Sequence, residues 1–218
     1  MKPLYLEIEG VKSVSEKQTV NFERVAKSGI FGVFGKTGSG KTTIIEQLGQ
    51  KYDLKSIQSY TTRPKRHENE TGHIFVTDEE FDKLTDFVGY TEFAGNRYCA
   101  TSAQVETHDL YVIDPKGVDY FREHYKGNKD VKVIYIDSPV SVVYERMRQR
   151  AESNGMNYSD AVEESLKRWK NDIAEFYDYI HHTTKVDFTV MNNTNTTIDE
   201  LVEKVYQFIK RTEESEVS

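Results

Sequence analysis

The stretch Gly35-Lys36-Thr37-Gly38-Ser39-Gly40-Lys41-Thr42 decides the fold, because it satisfies G-x-x-x-x-G-K-[ST] at every fixed position. Its flanks give the pattern meaning. Ile30-Phe31-Gly32-Val33-Phe34 before it reads as a buried strand. Thr43-Ile44-Ile45-Glu46-Gln47-Leu48 after it carries apolar residues at helical spacing. Strand, glycine-rich loop and helix together make an anion site: the backbone wraps its N–H groups around phosphate oxygens, and the helix N-terminus adds a favourable dipole. In such a site Lys41 reaches the β- and γ-phosphates, Thr42 offers its hydroxyl to Mg²⁺, and Thr43 completes the cradle. The pattern predicts a nucleoside triphosphate as ligand, with Mg·ATP the expected form.

The chain has 218 residues, enough for one α/β domain with a sizeable core. Its 37% hydrophobic and 12% aromatic content is that of a globular protein rather than a disordered one. With 29 basic against 36 acidic residues the net charge is −7, which disfavours broad binding to nucleic acid. The one cysteine, Cys99, excludes an internal disulfide framework and suits a reducing compartment. No signal-peptide pattern opens the sequence, and no apolar run approaches the ~20 residues of a membrane helix. The expectation is a soluble, cytoplasmic protein with no membrane partner. Oligomeric state is not legible.

Residues 1–28 read as a β-hairpin extension, residues 3–9 pairing with 18–22, with Leu4, Leu6 and Ile8 on one face. Beyond the P-loop helix come short extended pieces from Ile57 to Ala100, broken by the basic turn Thr61-Thr62-Arg63-Pro64-Lys65-Arg66. Thr77-Asp78-Glu79-Glu80 forms a capping box. Thr101 opens a helix to His108, and Leu110 to Asp114 and Val131 to Asp137 are buried strands ending in carboxylates. Ser138-Pro139 predicts a helix start with the hydroxyl as cap and proline at the first position. A long helix follows from Ser159 to about Ile180, then a strand to Met191, then a final helix from Thr197 with Glu200 completing its box. Strands alternating with helices predict a parallel sheet of P-loop NTPase type, helices on both faces and ligands beyond the carboxyl ends of the strands.

Two arginines three apart beside hydroxyls, in Ser59-Tyr60-Thr61-Thr62-Arg63-Pro64-Lys65-Arg66, make a fork for a second phosphate. This segment resembles the monophosphate-binding part of the guanylate kinase family. The likeness continues through Gly72, Phe75, Phe93, Gly95-Asn96, Tyr98, Asp114-Pro115-Lys116-Gly117, Asp137-Ser138-Pro139 and Asn192. The resemblance implies a domain over 29–212, with a small monophosphate-binding subdomain at 58–100, a helical lid at 145–170 and a polar tail at 213–218. It implies that Arg63, Arg66 and Tyr98 hold the acceptor's phosphate, and that Ser59, Thr101 and Asp114 serve its base side. It places lid arginines at Arg146, Arg150 and Arg168, and Asn192 at the donor. The implied reaction is ATP plus a nucleoside monophosphate, with GMP or dGMP favoured. Arg148 has no counterpart and reads as a surface arginine.

The departures concern the base. The family's phosphate-contacting tyrosine is His73 here, its guanine-reading glutamate falls on Gly89, and a pocket hydroxyl falls on Ala100. With Gly89 in register the expectation is weak discrimination between bases or preference for an unusual one, which Gly89→Glu would sharpen towards GMP; on a different loop path Glu92, three residues beyond, would supply the carboxylate instead. Met1 through the P-loop also resembles the N-terminus of SMC-like exonuclease-subunit ATPases, over about residues 1–45. An ATPase head is disfavoured, because no Leu-Ser-Gly-Gly signature and no strand ending in Asp-Glu are found. A drifted nucleotide-binding module is the remaining alternative. His181-His182, adjacent and without further ligands, read as a solvated helix end.

Overall fold

The computed structural model describes residues 5–8, 18–21, 29–65, 68–93, 95–182 and 186–215. Strands β1 (Tyr5–Ile8) and β2 (Gln18–Asn21) pair antiparallel as a two-stranded sheet of their own, so the hairpin does not extend either of the other sheets. The central sheet is parallel throughout. Its order is β10 (Phe188–Met191), β9 (Asp130–Asp137), β3 (Gly29–Phe34), β8 (Leu110–Val112). The strand that feeds the P-loop therefore lies inside the sheet.

Burial on both faces follows the two-residue period of a strand. Ile30 and Phe34 of β3 join Val133 and Tyr135 of β9 in one core. Phe31 and Val33 join Ile134 and Ile136 in the other. The second core is closed by Ile44, Ile45 and Leu48 of α1 (Lys41–Tyr52) and by Leu201, Val202, Val205 and Ile209 of α7 (Ile198–Ser215). The first is closed by Val118 and Phe121 of α4 (Pro115–His124) and by Phe176 of α6 (Tyr158–His182).

A second sheet is ordered β5 (His73–Phe75), β4 (Ser59–Thr61), β7 (Asn96–Cys99), β6 (Thr91–Phe93). It carries the short helix α2 (Asp78–Phe81), opened by the Thr77–Glu80 capping box. The helix α3 (Ser102–Thr107) follows, capped by Thr101 with Gln104. The start of α5 (Val140–Ser153) differs from the sequence expectation. Pro139, not Ser138, is the N-cap, no side chain caps the helix, and Ser138 Oγ is buried without a partner among the described residues. The expected proline cap is realised at α4 instead, where Asp114 caps and Pro115 takes the first turn.

Candidate active site

The loop between β3 and α1 turns through glycines in the left-handed region, Gly38 at φ +84° and Gly40 at φ +94°. A Cβ on Gly40 would lie 2.6 Å from Asn192 Nδ2, so loop and neighbour fit only with glycine there. Lys41 Nζ donates to the carbonyls of Gly35 at 2.6 Å and Lys36 at 3.1 Å, which holds the ammonium group over the loop. Thr42 and Thr43 are exposed at the start of α1. The donor set of Lys41, Thr42 and the loop amides fits a magnesium-bound triphosphate.

Asn192, at the end of β10, ties the loop down: its Nδ2 donates to Ser39 O at 2.7 Å. Arg146 of α5 donates to Asn192 Oδ1 at 3.1 Å and to Gly38 O at 3.3 Å. P-loop, Asn192 and Arg146 thus meet, although they lie far apart in sequence. The other two lid arginines stay outside. Arg150 is exposed, and Arg168 pairs with Glu164 of its own helix at 2.7 Å. Arg148 bonds Glu145 and Glu152 and lies over the Tyr158 ring, a surface network.

Just beyond β4, Arg63 donates from Nη1 to Glu70 Oε2 at 3.2 Å and from Nη2 to Glu70 Oε1 at 2.8 Å. Both side chains are about nine-tenths covered, at 12% and 10% exposure, and hydrogen bonding to Glu70 holds the guanidinium pKa above its ordinary value. The Arg63 guanidinium also sits over the Phe75 ring, with Tyr98 beside it. His73 Nδ1 shares a hydrogen bond with Ser59 Oγ at 2.9 Å, and its ring lies 5.8 Å from that of Tyr98. Ser59, Arg63, Phe75, His73 and Tyr98 therefore form one cluster. Arg66 lies outside the described residues.

The residues that the resemblance assigns to the base are closed in by their neighbours. Asp114 caps α4 by accepting from Gly117 N at 2.7 Å, and it takes the hydroxyl of Thr91 as well. Burial raises its carboxyl pKa, against the pull of those donors. The Tyr111 hydroxyl donates to Gly89 O at 3.2 Å, and a Cβ on Gly89 would lie 2.6 Å from Tyr111 Cε1. Tyr111 occupies the space a residue at 89 would need. Glu92 is not the replacement carboxylate. Side chains alternate along β6, so Thr91 turns in to Asp114 while Glu92 is exposed and accepts from Tyr90. The Thr101 hydroxyl is committed to the α3 cap, accepting from Gln104 N at 3.4 Å.

Sequence reasoning missed Glu70, Thr91, Tyr111 and Asp172. The last is the most telling. Its Oδ2 accepts from Thr37 N at 2.6 Å and its Oδ1 from Thr37 Oγ1 at 3.2 Å, at 6% exposure. Burial pushes this carboxyl above the usual range, although the Thr37 amide, Lys41 and Lys36 all favour its charged form. A signal existed: Ala161, Ser165, Asp172 and Phe176 are buried at helical spacing, and a carboxylate on such a stripe asks for a partner.

Fold and loop define a P-loop nucleotide-binding protein of the kinase type. The model of the AAA domain family matches residues 5–216, and the chain belongs to that family. Within the P-loop class it belongs to the guanylate kinase family: it is 30% identical to the guanylate kinase of Thermotoga maritima over 168 residues, 71% of this chain and 78% of that one. The guanylate kinase of Hahella chejuensis is 28% identical over 170 residues, 72% of this chain and 79% of that one. The N-terminal likeness has its counterpart in a subunit of the nuclease SbcCD of Clostridium acetobutylicum, 50% identical over 48 residues. That match covers 22% of this chain, and the chain spans only 4% of that protein's length. Among the described residues no helix is long and apolar enough to cross a membrane.

Proposed function

We propose that the protein transfers the γ-phosphoryl group of Mg·ATP to a nucleoside monophosphate, with GMP or dGMP the first acceptor to test. The observation that supports this reading is that the cations of the P-loop and the Arg63 cluster both lie beyond the carboxyl ends of adjacent central strands. The P-loop with Lys41 and Arg146 follows β3. The Arg63 cluster sits on the second sheet, which meets the carboxyl end of the adjacent strand β8 through Thr91 and Asp114. Transfer between two bound phosphates asks little covalent chemistry of the protein; positioning and charge stabilisation supply most of the catalysis. Lys41 and the loop amides orient the donor, Arg146 adds positive charge beside it, and Arg63 with Tyr98 orients the acceptor. Thr42 would hold the magnesium ion, which offsets phosphate charge. Arg150 and Arg168, exposed on the lid, would reach the nucleotides only on lid closure. Arg66 and Thr43 remain proposed phosphate contacts.

A second reading, a nucleotide-binding module without transferase activity, is favoured by one observation: Tyr111 fills the space beside Gly89, the position on which the resemblance places the guanine-reading carboxylate. A coupled ADP-release screen against the common ribo- and deoxyribonucleoside monophosphates separates the two. The enzyme reading expects monophosphate-dependent ADP formation with weak discrimination between bases. ATP binding with no acceptor turned over supports the module.

A further inference from the structure

Thr37 is the third residue of the P-loop, the loop whose backbone is read here as the phosphate cradle; its own backbone N–H is the group at issue. Here that N–H is already committed to Asp172, from a helix 135 residues further along the chain. The side-chain hydroxyl of the same threonine is committed to the other oxygen of the same carboxylate. A guanidinium has several N–H hydrogens to share, but an amide has one. A triphosphate held on the same loop would bring its phosphate charge close to the Asp172 carboxylate. The two repel each other in a site where burial weakens screening.

We propose that Asp172 is a built-in occupant of the donor site: in the nucleotide-free protein its carboxylate takes the place of a donor phosphate on Thr37, and the triphosphate displaces it together with the lid. The inference rests on the P-loop binding a triphosphate, and is independent of the acceptor. The surroundings supply the rest of the device. Four residues on, Phe176 stacks on Phe34 of β3 at 6.2 Å between ring centroids, anchoring α6 to the core. On the other side of Asp172, α6 carries Arg168 and packs along α5, which carries Arg146 and Arg150. Release at Asp172 therefore frees the lid segment while Phe176 stays as its pivot. Lys41 and Lys36 are the cations that stabilise the carboxylate in the docked state, and the bound triphosphate takes up the same cations.

The chain's one tryptophan, Trp169, lies three residues from Asp172 on the same helix, half-buried, with its indole N–H unpartnered among the described residues. Its emission reports the movement directly. The test is calorimetric titration of Mg·ATP into wild type, Asp172→Asn, Asp172→Ala, Asp172→Glu and Lys41→Ala, with tryptophan emission recorded throughout and melting confirming the fold of each. Asp172→Asn, close in shape, keeps the test decisive should Asp172→Ala fold poorly. The expected result is ATP binding about tenfold tighter in Asp172→Asn and Asp172→Ala, as when a binding-competent state is released from a competing one. Their nucleotide-free emission should match that of ATP-bound wild type, while Asp172→Glu stays near wild type. ATP binding that Lys41→Ala weakens but Asp172→Asn and Asp172→Ala leave unchanged or weaker would overturn this inference alone. Absence of ATP binding in wild type and variants alike would overturn the P-loop reading and this inference with it.

Discussion

Arg63 holds both carboxylate oxygens of Glu70, at 3.2 and 2.8 Å, inside the cluster that also contains Tyr98 and Phe75. The pair fixes the fork of the guanidinium; with Nη1 also donating to Pro64 O at 2.8 Å and Tyr98 bonded to the same group, little of its donor capacity is left over for a phosphate. Glu70 is in this respect a positioning residue. Glu70→Gln should raise the acceptor's KM several-fold and leave the ATP dissociation constant unchanged, because a loosened clamp loses orientation rather than donor binding. Arg63→Ala should do the same more strongly and also lower kcat. It strands a largely buried carboxylate, so a loss of about 3 kcal/mol in stability accompanies it. Steady-state kinetics with a melting curve checks both. A weakened ATP site with an untouched acceptor KM would contradict the assignment.

Gly89→Glu is the natural way to restore a guanine-reading carboxylate, and the structure argues against it. With Tyr111 Cε1 only 2.6 Å from where the new Cβ would stand, the substitution should cost about 1–3 kcal/mol through overpacking. No gain in GMP over AMP turnover is expected. The double variant Gly89→Glu with Tyr111→Ala relieves the clash, and only there should selectivity for GMP rise. Comparing the GMP-to-AMP ratio of kcat/KM across wild type, single and double variants decides it. A sharpened ratio in the single variant would show that the Tyr111 wall does not govern the base.

Asn192→Ala removes the amide that joins Ser39 O to Arg146. Because Asn192 is buried, at 5% exposure, the loss should cost about 1–3 kcal/mol and raise the KM for ATP with little change in that for the acceptor. An acceptor-specific defect would place Asn192 on the wrong side of the reaction.

Cys99 is fully buried, and burial pushes its thiol up to about 12. Thiolate is the reactive form, so the native protein should resist alkylation at pH 8 and react only as it unfolds. Mass spectrometry after mild alkylation measures this. Rapid labelling of the folded protein would contradict the burial of β7.

Local features were legible because their physics is local. The P-loop with its strand and helix, the capping boxes at Thr77 and Thr197, and the alternation of β3 and β9 each follow from spacing within a few residues. The joint between Asp114 and Thr91, the latch between Thr37 and Asp172 and the wall made by Tyr111 were not, because each depends on which strands and helices become neighbours. Glu92 misled for a related reason: proximity in sequence to Gly89 says nothing about which face of β6 it occupies. Ser138 misled because a proline can itself stand at the cap, which starts the helix one residue later.

The most direct measurement of the central claim is ADP release from Mg·ATP with each nucleoside monophosphate in turn, run side by side on wild type, Lys41→Ala and Arg63→Ala. The account predicts acceptor-dependent ADP formation by wild type, its abolition in Lys41→Ala because charge stabilisation at the donor is lost, and only partial recovery in Arg63→Ala at high acceptor concentration. Wild type that binds ATP yet forms no ADP with any monophosphate, or Lys41→Ala that turns over undiminished, would contradict it.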